Sequence, residues 1–132
     1  MNFTPLISHK PLGLRPSYIL LVNSSSPTKA LFSSQILSTN KTLFTAKTIR
    51  EAIRIFTYER PKFVFVEDSL LRQDPEGARE FLDLLNHSSE VTVTILEETA
   101  DFDLNFDIKH MGFSVAVKPF SIGQISQICR LR

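Results

Sequence analysis

The chain contains 132 residues with a mass of 15.0 kDa, which is enough for one globular domain and too little for two. Charged residues make up 22% and hydrophobic residues 42%, as in an ordinary soluble protein, and a net charge of +1 excludes strong bulk attraction to nucleic acid or an anionic membrane. The N-terminus has no signal-peptide core, no apolar run reaches the roughly 20 residues of a membrane span, and the single Cys129 excludes an intramolecular disulfide, so we expect a cytoplasmic location.

The N-terminal part of the chain divides into an extension and the start of a domain. Residues 1–16 contain three prolines and one glycine without a sustained period, which predicts a flexible extension before a domain at 17–132. Residues 18–22 form a continuous apolar run, typical of a strand buried on both faces. Serines at 24–26 followed by Pro27 then predict the start of a helix.

Strand and helix patterns alternate from there to the C-terminus. Further strands are predicted at 42–45, 63–66, 91–96 and 113–117, and further helices begin at Thr48, at Asp74 or Pro75, and at Ser121. Such alternation predicts right-handed crossovers and a parallel sheet with helices on both faces. Residues 101–108 are an exception, because apolar residues occupy every second position, which favours a strand over the helix expected there.

The same segment partly resembles a calcium site. Residues 101–107 carry acidic or amide side chains at every second position, as in the first half of an EF-hand loop. Phe106 stands where that loop needs glycine, and Gly112 stands where it needs a bidentate glutamate. We therefore predict no metal site. The apolar residues of this segment favour either a partner surface or packing in the core.

Polar residues gather where the predicted strands end. The apolar run 114–117 stops at Lys118, because Pro119 cannot donate to a sheet ladder. The carboxyl ends of parallel strands meet at one edge of the sheet, which brings together Asn23, Ser24, Glu67, Asp68, Glu97 and Lys118. An ammonium beside a core needs an anion or solvent, so we predict an ion pair of Lys118 with Glu67, with Glu97 either sharing the lysine or solvated.

The alternation, the carboxylate of Glu67 at a strand end, and the run Lys118, Pro119 and Phe120 together resemble a response-regulator receiver domain over residues 17–132. The resemblance implies an α/β fold of flavodoxin type, a (βα)5 three-layer sandwich whose five-stranded parallel sheet has the order 2-1-3-4-5. It also implies a role in signal transduction.

The resemblance identifies several altered positions. In receivers an acidic pair holds magnesium and an aspartate accepts the phosphoryl group; Asn23 and Ser24 match the pair, and Glu67 matches the acceptor. Asn23 and Ser24 carry no charge, which removes much of the attraction for the ion. Glutamate is one methylene longer than aspartate, so its carboxylate lies nearer to where the phosphoryl group would sit and imitates the charge of the product.

The remaining receiver positions are mixed. Glu97 stands where the family has a threonine or serine that contacts the phosphoryl group, and Val115 is the nearest match to the aromatic switch residue, while Lys118 and Pro119 are retained. We therefore predict a pseudo-receiver that works without phosphorylation, is not an enzyme and needs no cofactor. Its expected partner is a protein or a second copy, bound through the region around residues 100–120, with no direct binding to nucleic acid and no membrane association.

Two alternatives remain open at this stage. Ser24, Ser25 and Ser26 at a helix N-terminus favour an anion- or flavin-binding protein of flavodoxin type. A receiver that is still phosphorylated at Asp68 is the second alternative, although alternation along the strand directs Asp68 away from Glu67.

Overall fold

A computed structural model describes residues 13–37, 39–88, 90–97, 112–119 and 121–129 of the chain. Its sheet consists of β1 (Arg15–Val22), β2 (Thr42–Ala46), β3 (Pro61–Glu67), β4 (Thr92–Glu97) and β5 (Ser114–Val117). Neighbouring strands are all parallel and follow the order β2-β1-β3-β4-β5. The predicted flavodoxin-like topology is confirmed.

The sheet is covered by α1 (Ser26–Ile36), α2 (Ile49–Glu59), α3 (Asp68–Gln73), α4 (Pro75–Asn86) and α5 (Ile122–Cys129). Side-chain oxygens cap the starts of several helices, as predicted. Ser25 accepts the amide of Thr28, and Asp74 accepts that of Gly77. These caps satisfy amides that have no partner inside the helix, which fixes where each helix begins.

The structure differs from the sequence prediction at two places. β1 begins at Arg15, two residues inside the predicted extension 1–16, and residues 1–12 lie outside the described residues. Helix α3 was not predicted, because six residues are too few for a helical period to show. The strand favoured for 101–108 stays a prediction, because that segment lies outside the described residues.

The hydrophobic core forms one layer on each side of the sheet. Helices α2, α3 and α4 pack on one face, and α1 and α5 pack on the other. In the second layer the rings of Phe32 and Phe65 meet edge to face, with centroids 4.8 Å apart. Cys129 is buried in this layer, and burial raises the pKa of its thiol to about 12. No helix in the described parts of the chain is long and apolar enough to cross a membrane.

Candidate functional site

The carboxylate of Glu67 lies at the centre of the carboxyl edge of the sheet. Glu67 ends the buried strand β3 and is only 4% exposed. Its Oε2 lies 3.1 Å from Nζ of Lys118, and its Oε1 accepts the backbone amide of Ser24 at 3.0 Å and the hydroxyl of Ser24 at 3.4 Å. Hydrogen bonds that involve a charged group are stronger than neutral ones. One carboxylate therefore connects the end of β1 to the exit of β5.

Lys118 is positioned by the backbone that follows β5. Its amide donates to the carbonyl of Glu97 at 2.9 Å, and the peptide bond between Lys118 and Pro119 is cis. The side chain of Lys118 is 22% exposed, whereas that of Glu67 is 5% exposed. The two charges thus meet at the boundary between the core and the solvent, where an ion pair is screened less than on an open surface.

Asn23 and Ser24 stand at the positions that match the acidic pair. Here they make hydrogen bonds to neighbouring groups of the protein. The buried amide of Asn23 donates to the carbonyl of Ser25 at 2.7 Å, and its backbone amide donates to Ala46 at 2.9 Å. Ser24 is exposed, and its amide and hydroxyl both donate to Glu67. These contacts shape the loop between β1 and α1 and bring no negative charge to the site.

Asp68 and Glu97 form a second group of acidic side chains beside the first. Asp68 begins α3, and its carboxylate lies 3.5 Å from the guanidinium of Arg72 one turn later. Glu97 is 1% exposed, and its Oε2 has no hydrogen-bond partner within the described residues. Burial raises the pKa of Glu97, the negative charge of Asp68 raises it further, and Arg72 opposes both. Glu97 is therefore biased towards its neutral form.

The described residues at this edge do not fit a magnesium ion. Magnesium prefers an octahedral set of oxygens that includes one or two carboxylates. Here both oxygens of Glu67 are hydrogen-bonded, Asp68 is paired with Arg72, and Asn23 supplies an amide that already donates to the loop. Among the residues that the structure describes, no group of three histidine, cysteine, aspartate or glutamate side chains could hold a metal ion.

The region predicted as a partner surface is described only in part. Residues 98–111 and Phe120 lie outside the described residues. Val115, the nearest match to the switch residue, is 44% exposed on β5, and Pro119 is exposed just beyond it. Exposure of Val115 leaves an apolar side chain available on this edge strand.

A small cavity lies beside the serine loop. It has a volume of about 130 Å³ and is lined by Asn23, Ser24, Ser25, Ser26, Lys29, Thr45 and Lys47. The sequence pattern pointed to the loop but not to the two lysines, because Lys47 belongs to a strand end that is distant in sequence. The excess of basic residues in the first half of the chain was the available signal.

No family model and no curated protein match the sequence. Solved structures match it over most of its length. The signal receiver domain of a Vibrio parahaemolyticus protein described as a LuxO repressor has a TM-score of 0.70 at 21% identity, covering 87% of this chain and 88% of that one. The chemotaxis response regulator CheY4 of Vibrio cholerae has a TM-score of 0.69 at 17% identity, covering 86% of this chain and 96% of that one.

A third similar structure contains a receiver in a complex. A chain from the Saccharomyces cerevisiae complex of the histidine phosphotransfer signaling protein Ypd1 with the receiver domain of Ssk1 matches with a TM-score of 0.62 at 16% identity, covering 83% of each chain. The fold of this chain is therefore that of response-regulator receiver domains, as the sequence resemblance predicted.

Proposed function

We propose that this chain is a pseudo-receiver, a protein-interaction module in signal transduction that works without phosphorylation. The observation that carries the proposal is the engagement of the Glu67 carboxylate from two sides, by Lys118 at 3.1 Å and by the amide of Ser24 at 3.0 Å. The buried charge at the strand end is thus already balanced, and no phosphoryl group is needed to contact the lysine.

Phosphoryl transfer to an acidic side chain relies on positioning and on a cation that neutralises the developing charge. The acceptor position here is a glutamate with both oxygens hydrogen-bonded, and the positions that would attract the cation are Asn23 and Ser24. Removing one partner of a buried ion pair costs about 3 to 5 kcal/mol, so freeing Glu67 for attack is unfavourable. A fixed pair of charges favours one conformation of the site.

The partner that we propose is a protein or a second copy of the chain. Domains with this fold include one solved together with a histidine phosphotransfer protein, so the fold is compatible with recognition of proteins. We place the contact in the region around residues 100–120, next to the exposed Val115. Direct binding to nucleic acid or to a membrane is not part of the proposal, in keeping with the net charge of +1.

The test is incubation with acetyl phosphate and magnesium followed by intact-mass measurement. We expect the wild-type chain to gain no phosphoryl group, because the described residues around Glu67 offer little attraction for the cation and both oxygens of the acceptor carboxylate are hydrogen-bonded. The matched control is the triple variant N23D/S24D/E67D, which rebuilds the acidic set of receivers and is expected to gain mass. Stoichiometric phosphorylation of the wild-type chain contradicts the proposal.

Phosphorylation at Asp68 is the alternative that the same experiment addresses. The carboxylate of Asp68 lies 3.5 Å from Arg72, and its side chain is 12% exposed, so an acceptor role requires loss of that pair. If the wild-type chain gains a phosphoryl group, the variants D68N and E67Q identify which carboxylate carries it.

An anion- or flavin-binding role for the serine loop has partial support. Lys29 and Lys47 beside the loop favour a small anion. The cavity of about 130 Å³ is smaller than the roughly 300–1,000 Å³ of cofactor pockets, which disfavours a flavin. Purified protein that is colourless and releases no small molecule on denaturation argues against this role, and a released chromophore supports it.

A further inference from the structure

The outer side of β2 is an open strand edge. β2 is the end strand of the sheet and, among the described residues, pairs only with β1. The backbone amides and carbonyls on the outer side of an end strand are free to pair with an added strand. Proteins that bind extended peptides use this geometry, in which backbone hydrogen bonds give affinity and side chains at alternate positions give specificity.

A groove runs beside this edge, between β2 and α1. It has a volume of about 360 Å³, and its walls include Lys29, Ser33 and Leu37 from one face of α1 and Leu43 and Thr45 from β2. The side chain of Leu43 packs on the α1 side of the sheet, so the groove lies on that side. A strand added to β2 lies about 4.8 Å from it and directs every second side chain towards the groove.

The end of the groove near the carboxyl edge of the sheet is cationic. The small cavity of about 130 Å³ continues the groove there, because Lys29 and Thr45 line both, and it adds Lys47. Neither lysine has an ion-pair partner among the described residues. The nearby carboxylate of Glu51 accepts the backbone amide of Lys47 and not its ammonium. None of the described residues that line the groove and the cavity is acidic, so this end attracts an anion.

The opposite end of the groove is apolar. Leu37 is 86% exposed there, beside the partly buried Leu43. Lys41 also lines this end, but its ammonium donates to the carbonyl of Pro16 at 3.1 Å and lies 5.5 Å from the centre of the Phe63 ring. The charge of Lys41 is therefore directed towards β1 and β3, and the apolar surface at this end faces the outside of the sheet.

The apolar and cationic ends are separated by nearly the same distance along both walls. On α1, Lys29 and Leu37 are eight residues apart, or about 12 Å. On the β2 side, Leu43 and Lys47 are four residues apart, or about 13 Å. Side chains four residues apart in a strand lie on the same face and span the same distance. The groove therefore fits a strand with an apolar and an acidic side chain four residues apart.

We propose that an extended segment of a partner protein, with an apolar and an acidic side chain four residues apart, adds as a strand to the outer edge of β2. Its carboxylate lies by the ammonium groups of Lys29 and Lys47, and its apolar side chain packs on Leu37. Complementary charges select the partner and fix its register. Residues 1–12, which precede β1, contain no acidic residue, so this chain's own N-terminal part does not supply the carboxylate.

The first test is a titration of the isotope-labelled chain with synthetic peptides, followed by nuclear magnetic resonance. The heptapeptide Thr-Leu-Thr-Thr-Thr-Asp-Thr and its reverse, both with blocked ends, present the two side chains in the two strand directions. We expect one of them to shift the amide signals of β2 and α1 and to leave those of β5 unchanged, with an affinity that falls with added salt.

The matched control is the peptide of the same composition in which the aspartate is moved by one position towards the leucine. Its two side chains then lie on opposite faces of a strand, and we expect an affinity about threefold lower or less than that. If neither heptapeptide shifts the signals of β2, or if the control binds as well as the peptide with the four-residue spacing, the proposal is overturned.

The second test removes the charges of the groove. K29Q/K47Q is expected to lower the affinity for the peptide about three- to tenfold, because two cations near one carboxylate are lost. R54Q/R79Q, which removes two exposed arginines outside the groove, is the control of equal charge change and should bind as the wild-type chain does. Urea unfolding verifies that both variants are folded. An unchanged affinity of folded K29Q/K47Q overturns the proposal.

The third test distinguishes strand addition from contacts of side chains alone. Two versions of the binding peptide carry backbone N-methyl groups, one at the even positions and one at the odd positions. A strand pairs with its neighbour through alternate amides, so we expect one version to lose binding and the other to keep it. Any other pattern overturns the addition of a strand to β2.

Sedimentation velocity identifies the occupant of the groove. We expect the wild-type chain and K29Q/K47Q to have the same average mass without peptide. Association of the wild-type chain that the variant loses makes a second copy the occupant and overturns the assignment to a partner protein.

This inference goes beyond the proposed function. β2 and β5 are the end strands at opposite edges of the sheet, and the partner contact of the proposed function is placed next to β5. Phosphorylation of the wild-type chain with acetyl phosphate contradicts the proposed function and leaves the contact at β2 in place. Failure of the peptides to bind contradicts only the contact at β2.

Discussion

Replacing Lys118 with methionine tests the ion pair at the centre of the site. Methionine keeps most of the length and apolar volume of the side chain and removes the ammonium. Among the described residues, Glu67, with a side chain 5% exposed, then keeps the hydrogen bonds from Ser24 and no other side-chain partner. A buried carboxylate that loses its cation is poorly solvated, so the variant should be substantially less stable than the wild-type chain.

The distance and the burial set the expected magnitude. Unit charges 3.1 Å apart attract each other by about 5 kcal/mol at an effective dielectric constant of about 20 and by about 1 kcal/mol in water. Lys118 is 22% exposed, so its charge lies between these limits. We expect K118M to lower the free energy of unfolding by about 3 kcal/mol, near the lower end of the range for broken buried pairs.

The assay is urea unfolding at neutral pH of the wild-type chain, K118M, E67Q and the double variant. E67Q retains an oxygen for the amide of Ser24 and leaves a lysine that can turn to solvent, so its loss should be smaller, about 1 to 2 kcal/mol. Lys118 also makes an interaction outside its pair with Glu67, and the double-mutant cycle cancels the contribution of that interaction. We expect a coupling free energy of about 2 kcal/mol between Glu67 and Lys118.

A coupling below about 0.5 kcal/mol refutes this reasoning, because it is the value of a solvated surface pair. In that case K118M loses nearly as much stability in the E67Q background as in the wild-type chain. The two side chains are then close in space without an energetic connection, and the fixed charge cannot hold the site in one arrangement.

Two further predictions concern buried titratable groups. The pKa of Glu97 is raised above its ordinary value of 4.5, first by burial. Above pH 4.5 the unfolded chain releases a proton that the folded chain keeps, so the free energy of unfolding should fall as the pH rises, until the folded group is also ionised. Urea unfolding of the wild-type chain and of E97Q at pH 5 and pH 8 measures this dependence, which E97Q should reduce. An equal pH dependence in the two proteins contradicts the assignment to Glu97. The thiol of Cys129, with its pKa raised to about 12 by burial, should not react with a thiol reagent at pH 8 until urea unfolds the chain, and rapid reaction of the folded protein contradicts its burial.

The strands of the sheet could be predicted from the sequence because the residue types at their ends mark where each strand stops. Apolar runs stop at residues which cannot continue them, such as Pro119 after β5. Helix starts could be predicted from capping side chains, of which Ser25 is an example. Helix α3 could not be predicted, because a single turn and a half bears too few apolar residues to establish a period.

The candidate site was predictable in part. The topology alone brings Glu67 and Lys118 to the same edge, and a lysine at a core boundary requires an anion or solvent. The arrangement around Asp68 was not predictable, since its partner Arg72 lies on the helix that the sequence did not reveal. A groove of about 360 Å³ between α1 and β2, lined by Ser33 and Leu43 among others, was not predictable either, because the proximity of its residues depends on how the helix packs on the sheet.

The two-sided engagement of Glu67 also has a consequence for the order of folding. The contact with Ser24 closes a loop of 43 residues, and the contact with Lys118 closes one of 51. Contacts between residues so distant in sequence carry a large loss of chain entropy and tend to form after local structure. We expect the pair to be absent from the folding transition state, so that K118M accelerates unfolding and leaves the folding rate nearly unchanged. The ion pair then forms late in folding, and its stabilising free energy slows unfolding and so lengthens the lifetime of the folded chain.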